Sequence, residues 1–364
     1  MKESLDVVFC HLLRFALGVS QVFPYKPTEE EWQKLFKMAK QQTVQGVFFN
    51  AISRLPVEQR PPRRLTMHLS FITEAIRGKN RQMNQESARY TQLFDGQGVQ
   101  CIVLKGQANA RLYPDPLSRQ AGDIDIWVPG GYDKVEHLLL DMGLISGRKD
   151  SYKESRHISF RNENDIEIEI HHRPTESLFR NKELQEVLFT ELKNSTLVPE
   201  GFYSPSIRFA LIMQLQHLYY HCVNEGVGFR HFMDYFILLT HSSDDDRKFV
   251  WGKIRQFGLT RACAGIMWVL EKTFGLSREM MLCAPDEKRG LRLYKNTIIG
   301  GNFGRNNPQK KKESHSLKHW LYKRKCSLSW FSFDPLNTVL QEIQYWKDTI
   351  SLIPERIKRR KMFL

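Results

Sequence analysis

The stretch that decides the fold is QCIVLKG, residues 100–106, together with GDIDIWV, residues 122–128. Both are short apolar runs next to glycine or proline, and such runs are typical of strands. Side chains alternate along a strand, so Asp123 and Asp125 point to the same face. Carboxylate oxygens are the ligands that hard ions such as Mg²⁺ prefer. These stretches therefore predict two strands and a pair of metal-binding carboxylates.

A further acidic strand can complete this pair. Residues 165–171, DIEIEIH, alternate strictly between isoleucine and polar side chains, which predicts a strand with its isoleucines packed inward. Its other face carries Asp165, Glu167, Glu169 and His171. Clusters of carboxylates suit phosphoryl and nucleotidyl transfer, because these reactions need two divalent ions and charge neutralisation rather than covalent chemistry by the protein. We expect this strand to supply a third carboxylate to Asp123 and Asp125.

Candidate phosphate ligands precede the aspartates. The first strand ends in Lys105-Gly106 before a short helix at 107–112, and a helix start presents backbone N–H groups to an anion. Gly106 allows a close backbone approach. Arg119 adds a cation in the loop that leads to Asp123. We predict that these residues contact phosphate.

The chain before the strands is predicted to be helical. Apolar residues recur at helical spacing over residues 5–16, and Thr28 with Glu31 forms a capping-box pattern at the start of a second helix. A third helix is expected at 44–53. Prolines then interrupt the chain, and a long helix is expected over residues 65–96.

The chain after the strands is also predicted to be helical. Ser204-Pro205 is a typical N-cap and first residue of a helix. Residues 242–246 are predicted to form an acidic turn, and the last helix is expected at 336–353. Further helices are expected at 230–240, 250–257, 260–274 and 288–299.

Several of these motifs resemble a known family. Residues 104–106, 112–116 and 122–126, together with Arg119, look like the uncharacterised nucleotidyltransferase family of the DNA polymerase β-like superfamily. Residues 168–171 resemble the strand that carries the third carboxylate in that family. The resemblance covers roughly residues 25–305. Its helical parts include residues 32–48, His217, His221, Arg230 and Asp234.

The resemblance implies an α+β fold, in which a small mixed β-sheet forms the nucleotidyltransferase core and helical regions flank it on the N- and C-terminal sides. We expect a helical region at 1–97, the core at 98–200, a helical domain at 201–305 and a basic helical extension at 306–364. The resemblance also implies Asp123, Asp125 and Glu169 as the ligands of Mg²⁺, with Mn²⁺ as a second candidate.

One departure from the superfamily concerns the turn after the first strand. The superfamily usually has Gly-Ser or Gly-Gly there, whereas this chain has Gly106-Gln107. A serine would donate a hydrogen bond to phosphate, so Gln107 or Lys105 would have to take this part here. Gln107 is therefore a further candidate phosphate ligand.

Two histidines, His217 and His221, lie one turn apart on a predicted helix. A zinc protease helix would carry glutamate beside the first histidine, but Leu218 occupies that position. Two interpretations stay open: the imidazoles contact the acceptor or a phosphate, or they lie on an ordinary polar helix face.

Three other polar residues have more than one interpretation. Arg230 and Asp234 are spaced to form a helix ion pair, and the alternatives to an ordinary pair are a catalytic role for either residue or a structural clamp behind the site. His171 either orients a carboxylate or phosphate, or is a polar residue at the end of a strand.

The chain has a formal net charge of +14, which favours anionic partners. Much of the excess lies at 310–312, 323–325 and 356–361, interleaved with aromatic residues. This C-terminal segment could bind nucleic acid or an anionic membrane surface, or form a packed cap with a solvated tail. No run of residues is long and apolar enough for a transmembrane helix.

Together these features predict a metal-dependent enzyme that moves an NMP from an NTP to an unknown hydroxyl or phosphate acceptor. The alternative is a binding module of the same fold, with weak catalysis or none, for RNA or an anionic membrane. The six cysteines form no CxxC pair, and with no convincing secretory signal the expected location is the cytoplasm.

Overall fold

The computed structural model describes residues 3–146, 156–175, 181–306 and 317–351. Four helices precede the sheet: α1 (Leu5–Ala16), α2 (Glu29–Gln41), α3 (Gln45–Arg54) and α4 (Arg63–Asp95). The core contains β1 (Ile102–Val103), α5 (Gln107–Ala110), β2 (Ile124–Trp127), α6 (Gly131–Asp141), β3 (His157–Arg161) and β4 (Glu167–His171). After it come α7 (Asn181–Leu192), β5 (Thr196–Leu197), β6 (Tyr203–Ser204), α8 (Ile207–Asn224), α9 (Phe229–Thr240), α10 (Asp244–Gln256), α11 (Thr260–Phe274), α12 (Glu287–Gly300), α13 (Leu317–Ser329) and α14 (Pro335–Ser351).

The core sheet has the strand order β1-β2-β4-β3. β2 and β4 are parallel, whereas β1 and β3 run antiparallel to their neighbours, so the sheet is mixed. Strands β5 and β6 form a separate two-stranded sheet. The predicted α+β class, a small mixed sheet flanked by helices, is confirmed.

The core sheet lies between two apolar cores. Its isoleucine face packs against apolar residues of α4 and α6, among them Tyr90 and Leu139. On the other face, Ile102 of β1 and its cross-strand partner Trp127 of β2 pack against the helical core. Because the acidic residues of β2 and β4 alternate with the isoleucines, they point towards this helical side. The isoleucine face is formed by Ile124, Ile126, Ile168 and Ile170.

Helices from both ends of the chain build the helical core together. The rings of Phe9 in α1 and Phe229 in α9 lie 6.3 Å apart. The guanidinium of Arg14 donates to the backbone oxygens of Thr273, at 3.3 Å, and Glu271, at 3.4 Å, near the end of α11. The N-terminal helices therefore hold in place the C-terminal helices that face the sheet.

The structure differs from the sequence-based predictions at the starts of two helices, α8 and α10. Ser206, not Ser204, caps α8, because its Oγ accepts from the backbone N–H of Phe209 at 3.1 Å. Ser204 instead pairs with Thr196 in the β5–β6 hairpin. Residues 242–246 do not form a free turn, since Ser243 caps α10, which begins at Asp244. The capping box expected at the start of α2 is present.

The C-terminal residues contain two helices in the described part, α13 and α14. The predicted last helix, 336–353, corresponds to α14. The predicted basic runs at 310–312 and 356–361 lie outside the described residues. Among the helices that the structure describes, none is long and apolar enough to span a membrane.

Candidate active site

Three carboxylates meet at the sheet face that points towards the helices. Asp125 and Glu169 are direct neighbours in the register of the parallel strands β2 and β4, and Asp123 immediately precedes β2. Ligand oxygens from all three side chains lie within 4.8 Å of one another. We call Asp123, Asp125 and Glu169 the carboxylate triad.

The remainder of the acidic strand does not join the triad. Asp165 precedes β4 in a turn with a φ of 55°, and Glu167 is exposed at the start of the strand. Both carboxylates pair with the exposed Arg161. Of the four polar residues that were predicted to share one face of this strand, only Glu169 and His171 therefore lie at the triad.

Asp125 is the most enclosed member of the triad. Its Oδ1 lies 2.9 Å from Nζ of Lys105 and 2.9 Å from Nε2 of His171, and only 1% of the residue is exposed. Burial alone would raise the pKa of Asp125, but the Lys105 ammonium and the hydrogen bond from His171 together outweigh burial and lower it. Asp125 is thus held as a carboxylate.

The pKa values of the other two carboxyl groups are shifted in opposite directions. The negative charge of Asp125, followed by burial, raises the pKa of Asp123. Burial also acts to raise the pKa of Glu169, but its interaction with His171 and the charge of Lys105 bring the pKa below its ordinary value. The repulsion at Asp123 is the electrostatic state that a bound cation relieves.

The triad fits a hard divalent cation. Oδ2 of Asp125 is buried and has no hydrogen-bond partner among the described residues. A buried carboxylate oxygen without a partner is costly, and a metal ion is one of the few groups that removes this cost.

A cavity of about 210 Å³ opens next to the triad. Besides the triad, it is lined by the predicted residues Lys105, Gly106, Arg119, His217, His221, Arg230 and Asp234. The triad thus supplies acidic groups on the sheet side, and the predicted cations come from Lys105 after β1, from Arg119 in the loop before β2 and from Arg230 in α9. His171 lies behind this lining, against Asp125.

The side chain of Gln107 does not reach this cavity. It is 3% exposed and points to α4, where its Nε2 donates to Oδ1 of Asn84 at 2.5 Å. The first turn of α5 directs it there. A role of Gln107 in phosphate binding stays a prediction, which its position does not support.

Arg119 is fixed by Asp234. Its Nε and Nη2 donate to the two carboxylate oxygens of Asp234 at 2.7 and 2.8 Å, and the hydroxyl of Tyr113 donates to Oδ1 at 2.7 Å. Nη1 of Arg119 is buried and has no partner among the described residues. Because Arg119 also lines the cavity, this nitrogen is a candidate donor to a bound anion.

The helix pair expected between Arg230 and Asp234 does not form. Asp234 is taken by Arg119, and Arg230 instead donates from Nη1 to the backbone oxygen of Gln120 at 2.8 Å. Arg230 thereby supports the loop that leads from Arg119 to the triad. Neither an ordinary ion pair nor a clamp between Arg230 and Asp234 is therefore present, and the clamp behind the site is formed by Arg119 and Asp234.

A histidine cluster forms the helical wall. The rings of His217 and His221 lie 4.3 Å apart, and His231 lies 6.3 Å from His221. Burial lowers the pKa of both His217 and His231 well below the ordinary value, which keeps these imidazoles neutral. Phe303 contacts the rings of His221 and His231.

Several residues of the site were not predicted. They are Arg156, His157, Gln214, His231 and Phe303. His157 lies opposite His171 in the antiparallel pair β3–β4, with Nδ1 3.5 Å from Oε2 of Glu169. If the pairing of β3 with the acidic strand had been predicted, it would have placed His157 next to His171 and so at the site. No sequence pattern marked the others, because they come from separate helices and loops.

The profile of the uncharacterised nucleotidyltransferase family matches residues 28–275. The class defined by this match is that of nucleotidyltransferases, and the chain belongs to this family. Comparison with curated proteins gives no match. Among solved structures, the chain is similar to an antigenic nucleotidyltransferase-like protein from Paracoccidioides brasiliensis, with 13% identity, 56% of this chain and 94% of that chain covered, and a TM-score of 0.37.

Proposed function

We propose that this protein is a metal-dependent nucleotidyltransferase that moves an NMP from an NTP to a hydroxyl or phosphate acceptor. One observation carries the proposal: the carboxylate triad, with oxygens within 4.8 Å of one another, lines the same cavity as Lys105, Arg119 and Arg230. An acidic centre beside a basic wall matches a metal–triphosphate complex, because the ions bind carboxylates and the phosphate oxygens bind cations.

Each member of the triad has a proposed part. Asp123 and Asp125 would hold both divalent ions, and Glu169 would hold the ion nearest the acceptor and orient the acceptor hydroxyl. Mg²⁺ is the proposed ion, with Mn²⁺ as a substitute. When bound, such ions neutralise charge on the transferring phosphoryl group and lower the pKa of an attacking hydroxyl.

Lys105, Gly106 and Arg119 are the proposed phosphate ligands. The ammonium of Lys105 lies 2.9 Å from Oδ1 of Asp125. From this position it would lie between the proposed metal ligands and the phosphates of the NTP. Gly106 has a φ of 60°, a conformation that favours glycine, and a β-carbon at this position would lie 3.5 Å from the backbone oxygen of Asp123. Arg119 presents a partnerless Nη1. All three residues line the cavity next to the triad, where the phosphates of an NTP would lie.

The helical wall is the proposed acceptor side. His217 and His221 line the cavity across from the sheet, and burial keeps His217 neutral. A neutral imidazole can both donate and accept hydrogen bonds, which suits a hydroxyl-bearing acceptor. Arg230 and Arg156 add positive charge for an acceptor that also carries a phosphate.

The test is transfer of label from each of the four α-labelled NTPs, with Mg²⁺ or Mn²⁺ and with tRNA, sugar phosphates, aminoglycosides or the protein itself as acceptor. We expect label transfer with at least one pair of substrates, and its loss in Asp123→Asn and in Asp125→Asn. Glu167→Gln is the matched control, because Glu167 lies on the same strand as Glu169 but is exposed. Transfer that survives both aspartate variants would contradict the proposed site.

A second candidate function concerns the C-terminal helices α13 and α14. They present a groove of about 810 Å³, lined by large apolar residues that are 43–61% exposed. These residues are Leu328, Phe331, Val339, Ile343, Trp346 and Ile350. Exposed apolar patches of this kind mark interaction sites.

An anionic membrane surface fits this groove better than nucleic acid. Residues 306–364 contain thirteen lysines and arginines against five acidic residues, a formal charge of +8 out of +14 for the chain. Phe331 and Trp346 could stack on bases, but the other four apolar residues of the groove are aliphatic, and aliphatic side chains insert between lipid headgroups rather than stack on bases. We propose that this face docks on anionic lipid and that it leaves the transferase site accessible.

Co-sedimentation of the full chain with lipid vesicles tests this candidate. We expect binding to phosphatidylcholine vesicles that contain phosphatidylglycerol, weaker binding to phosphatidylcholine alone, and a decrease with salt. Ile343→Glu with Ile350→Glu should abolish binding, whereas Val57→Glu, on another exposed apolar residue, should not. Binding to RNA but not to vesicles, or a dimer in solution that the double variant dissociates, would overturn it.

A further inference from the structure

A second set of potential metal ligands shares Glu169 with the carboxylate triad. Ligand atoms of His157, Glu169 and His171 also lie within 4.8 Å of one another. His157 and His171 face each other across β3 and β4, with ring centroids 5.1 Å apart. We call these three residues the imidazole site.

The distances match tetrahedral coordination. Oε2 of Glu169 lies 3.3 Å from Nε2 of His171 and 3.5 Å from Nδ1 of His157. Zinc binds imidazole nitrogen and carboxylate oxygen at about 2.0–2.2 Å in tetrahedral sites, so adjacent ligand atoms are about 3.3–3.6 Å apart. The two distances from Glu169 fit this geometry, and the two imidazole nitrogens lie within 4.8 Å of each other, so one ion can contact all three atoms after an adjustment of the side chains.

The surroundings also fit a metal. The side chains of His171 and Glu169 are 2% and 14% exposed, and Oε2 of Glu169 is buried with no hydrogen bond of good geometry among the described residues. An ion at Nε2 of His171 would replace the contact of that nitrogen with Asp125, which keeps Lys105 as a partner at 2.9 Å. Metal binding would therefore not leave the buried carboxylate of Asp125 without a partner.

The donor set distinguishes the imidazole site from the carboxylate triad. Two imidazoles and one carboxylate suit borderline ions such as Zn²⁺ and Co²⁺, whereas three carboxylates suit Mg²⁺. We infer that His157, Glu169 and His171 bind a borderline transition-metal ion of the Zn²⁺ type. This ion competes with the triad for Glu169, so that Zn²⁺ opposes Mg²⁺ binding.

Binding at the imidazole site goes beyond the proposed transfer reaction and is measured without it. Metal-free, full-length protein is titrated with Co²⁺ without NTP, first without Mg²⁺ and then at increasing Mg²⁺, which should weaken Co²⁺ binding, and the visible absorption of four- or five-coordinate Co²⁺ is recorded. We expect a saturable signal from one ion per chain, which Zn²⁺ displaces. A failure of NTP transfer would leave this measurement unaffected.

Variants separate the two metal sites. His157→Gln should weaken Co²⁺ binding by more than about tenfold, since even outer partners of a metal site contribute this much. Asp123→Asn should retain the signal, and His137→Gln, at an exposed histidine, is the matched control. A signal that survives both His157→Gln and His171→Gln, or that disappears in Asp123→Asn, would overturn the inference.

X-ray absorption spectroscopy of the wild-type protein with Zn²⁺ covers the case in which a histidine variant fails to fold. Two imidazole ligands on the ion support the imidazole site. One imidazole, or none, contradicts it.

Discussion

Asp125 and Glu169 stand side by side in the parallel strands β2 and β4, and His171 lies within hydrogen-bond distance of Asp125 and close to Glu169. This pairing joins two acidic segments that are far apart in the chain. It also places both carboxylates on the face opposite the isoleucines, where the helices α8 and α9 close the cavity. The arrangement leads to four predictions.

The first prediction concerns Asp123→Asn. The charge of Asp125 and burial raise the pKa of Asp123, so the ionised Asp123 destabilises the metal-free protein at neutral pH. We expect the variant to unfold at a higher temperature than wild type in a chelator, but to gain less stability from Mg²⁺. Thermal unfolding with and without Mg²⁺ measures both effects.

The same variant should lower NTP-dependent transfer by at least about 100-fold, since loss of a metal contact removes about 3 kcal/mol of transition-state stabilisation. Equal stabilisation of both proteins by Mg²⁺ would contradict a role of Asp123 as a ligand.

The second prediction compares two acidic residues. Asp234 is buried and accepts two hydrogen bonds from Arg119 and one from Tyr113, so Asp234→Asn should cost about 3 kcal/mol or more of unfolding free energy. Glu167 pairs with Arg161 in solvent, so Glu167→Gln should change stability by less than about 0.5 kcal/mol. Urea unfolding measures both. If both variants lost a similar amount of unfolding free energy, the buried hydrogen bonds between Arg119 and Asp234 would be contradicted.

The third prediction concerns pH. Burial places the pKa of His217 and His231 below the unfolded value of 6.5, so the unfolded chain takes up protons first as the pH falls. The stability that comes from keeping these imidazoles neutral is present above pH 6.5 and is lost as the pH falls below it. Urea unfolding at about pH 7.5 and about pH 5.5 should show a smaller loss in His231→Gln than in wild type. An equal loss would place His231 in solvent.

The fourth prediction concerns Gly46 at the start of α3. A β-carbon there would collide with the backbone oxygen of Ser118, directly before Arg119. Gly46→Ala should therefore cost about 1–3 kcal/mol and weaken nucleotide binding by displacing Arg119. Gly252 in α10 has no neighbour within 4 Å of such a carbon, so Gly252→Ala should stabilise by about 0.5–1 kcal/mol. Urea unfolding and NTP binding test the pair, and a neutral Gly46→Ala would contradict the close packing.

Sequence patterns identified the triad and most of the cavity. Strict alternation predicted that Asp123 and Asp125 share one face, and that Glu169 and His171 share another. It also placed Asp165 and Glu167 on the face of Glu169, but in the structure Asp165 lies in a turn and Glu167 at the exposed end of β4. Alternation determines the face of a strand but not how far along the strand a cavity extends.

Pairwise contacts across the chain were not predictable in this way. Arg119 and Asp234 are 115 residues apart, and helical spacing suggested Arg230 as the partner of Asp234 instead. His157 and His231 carry no motif of their own. Their positions depend on strand pairing and on the packing of α9 over the sheet.

The sequence by itself determined the local order of elements and the shared strand face of Asp123 and Asp125, because backbone geometry sets the periods of helices and strands. Only the tertiary structure decided which distant groups meet: the register of β2 and β4, the Arg119–Asp234 clamp, and the imidazoles beside Glu169. The physical reason is that these contacts arise from the burial of two apolar cores on opposite sides of one sheet, which no local pattern encodes.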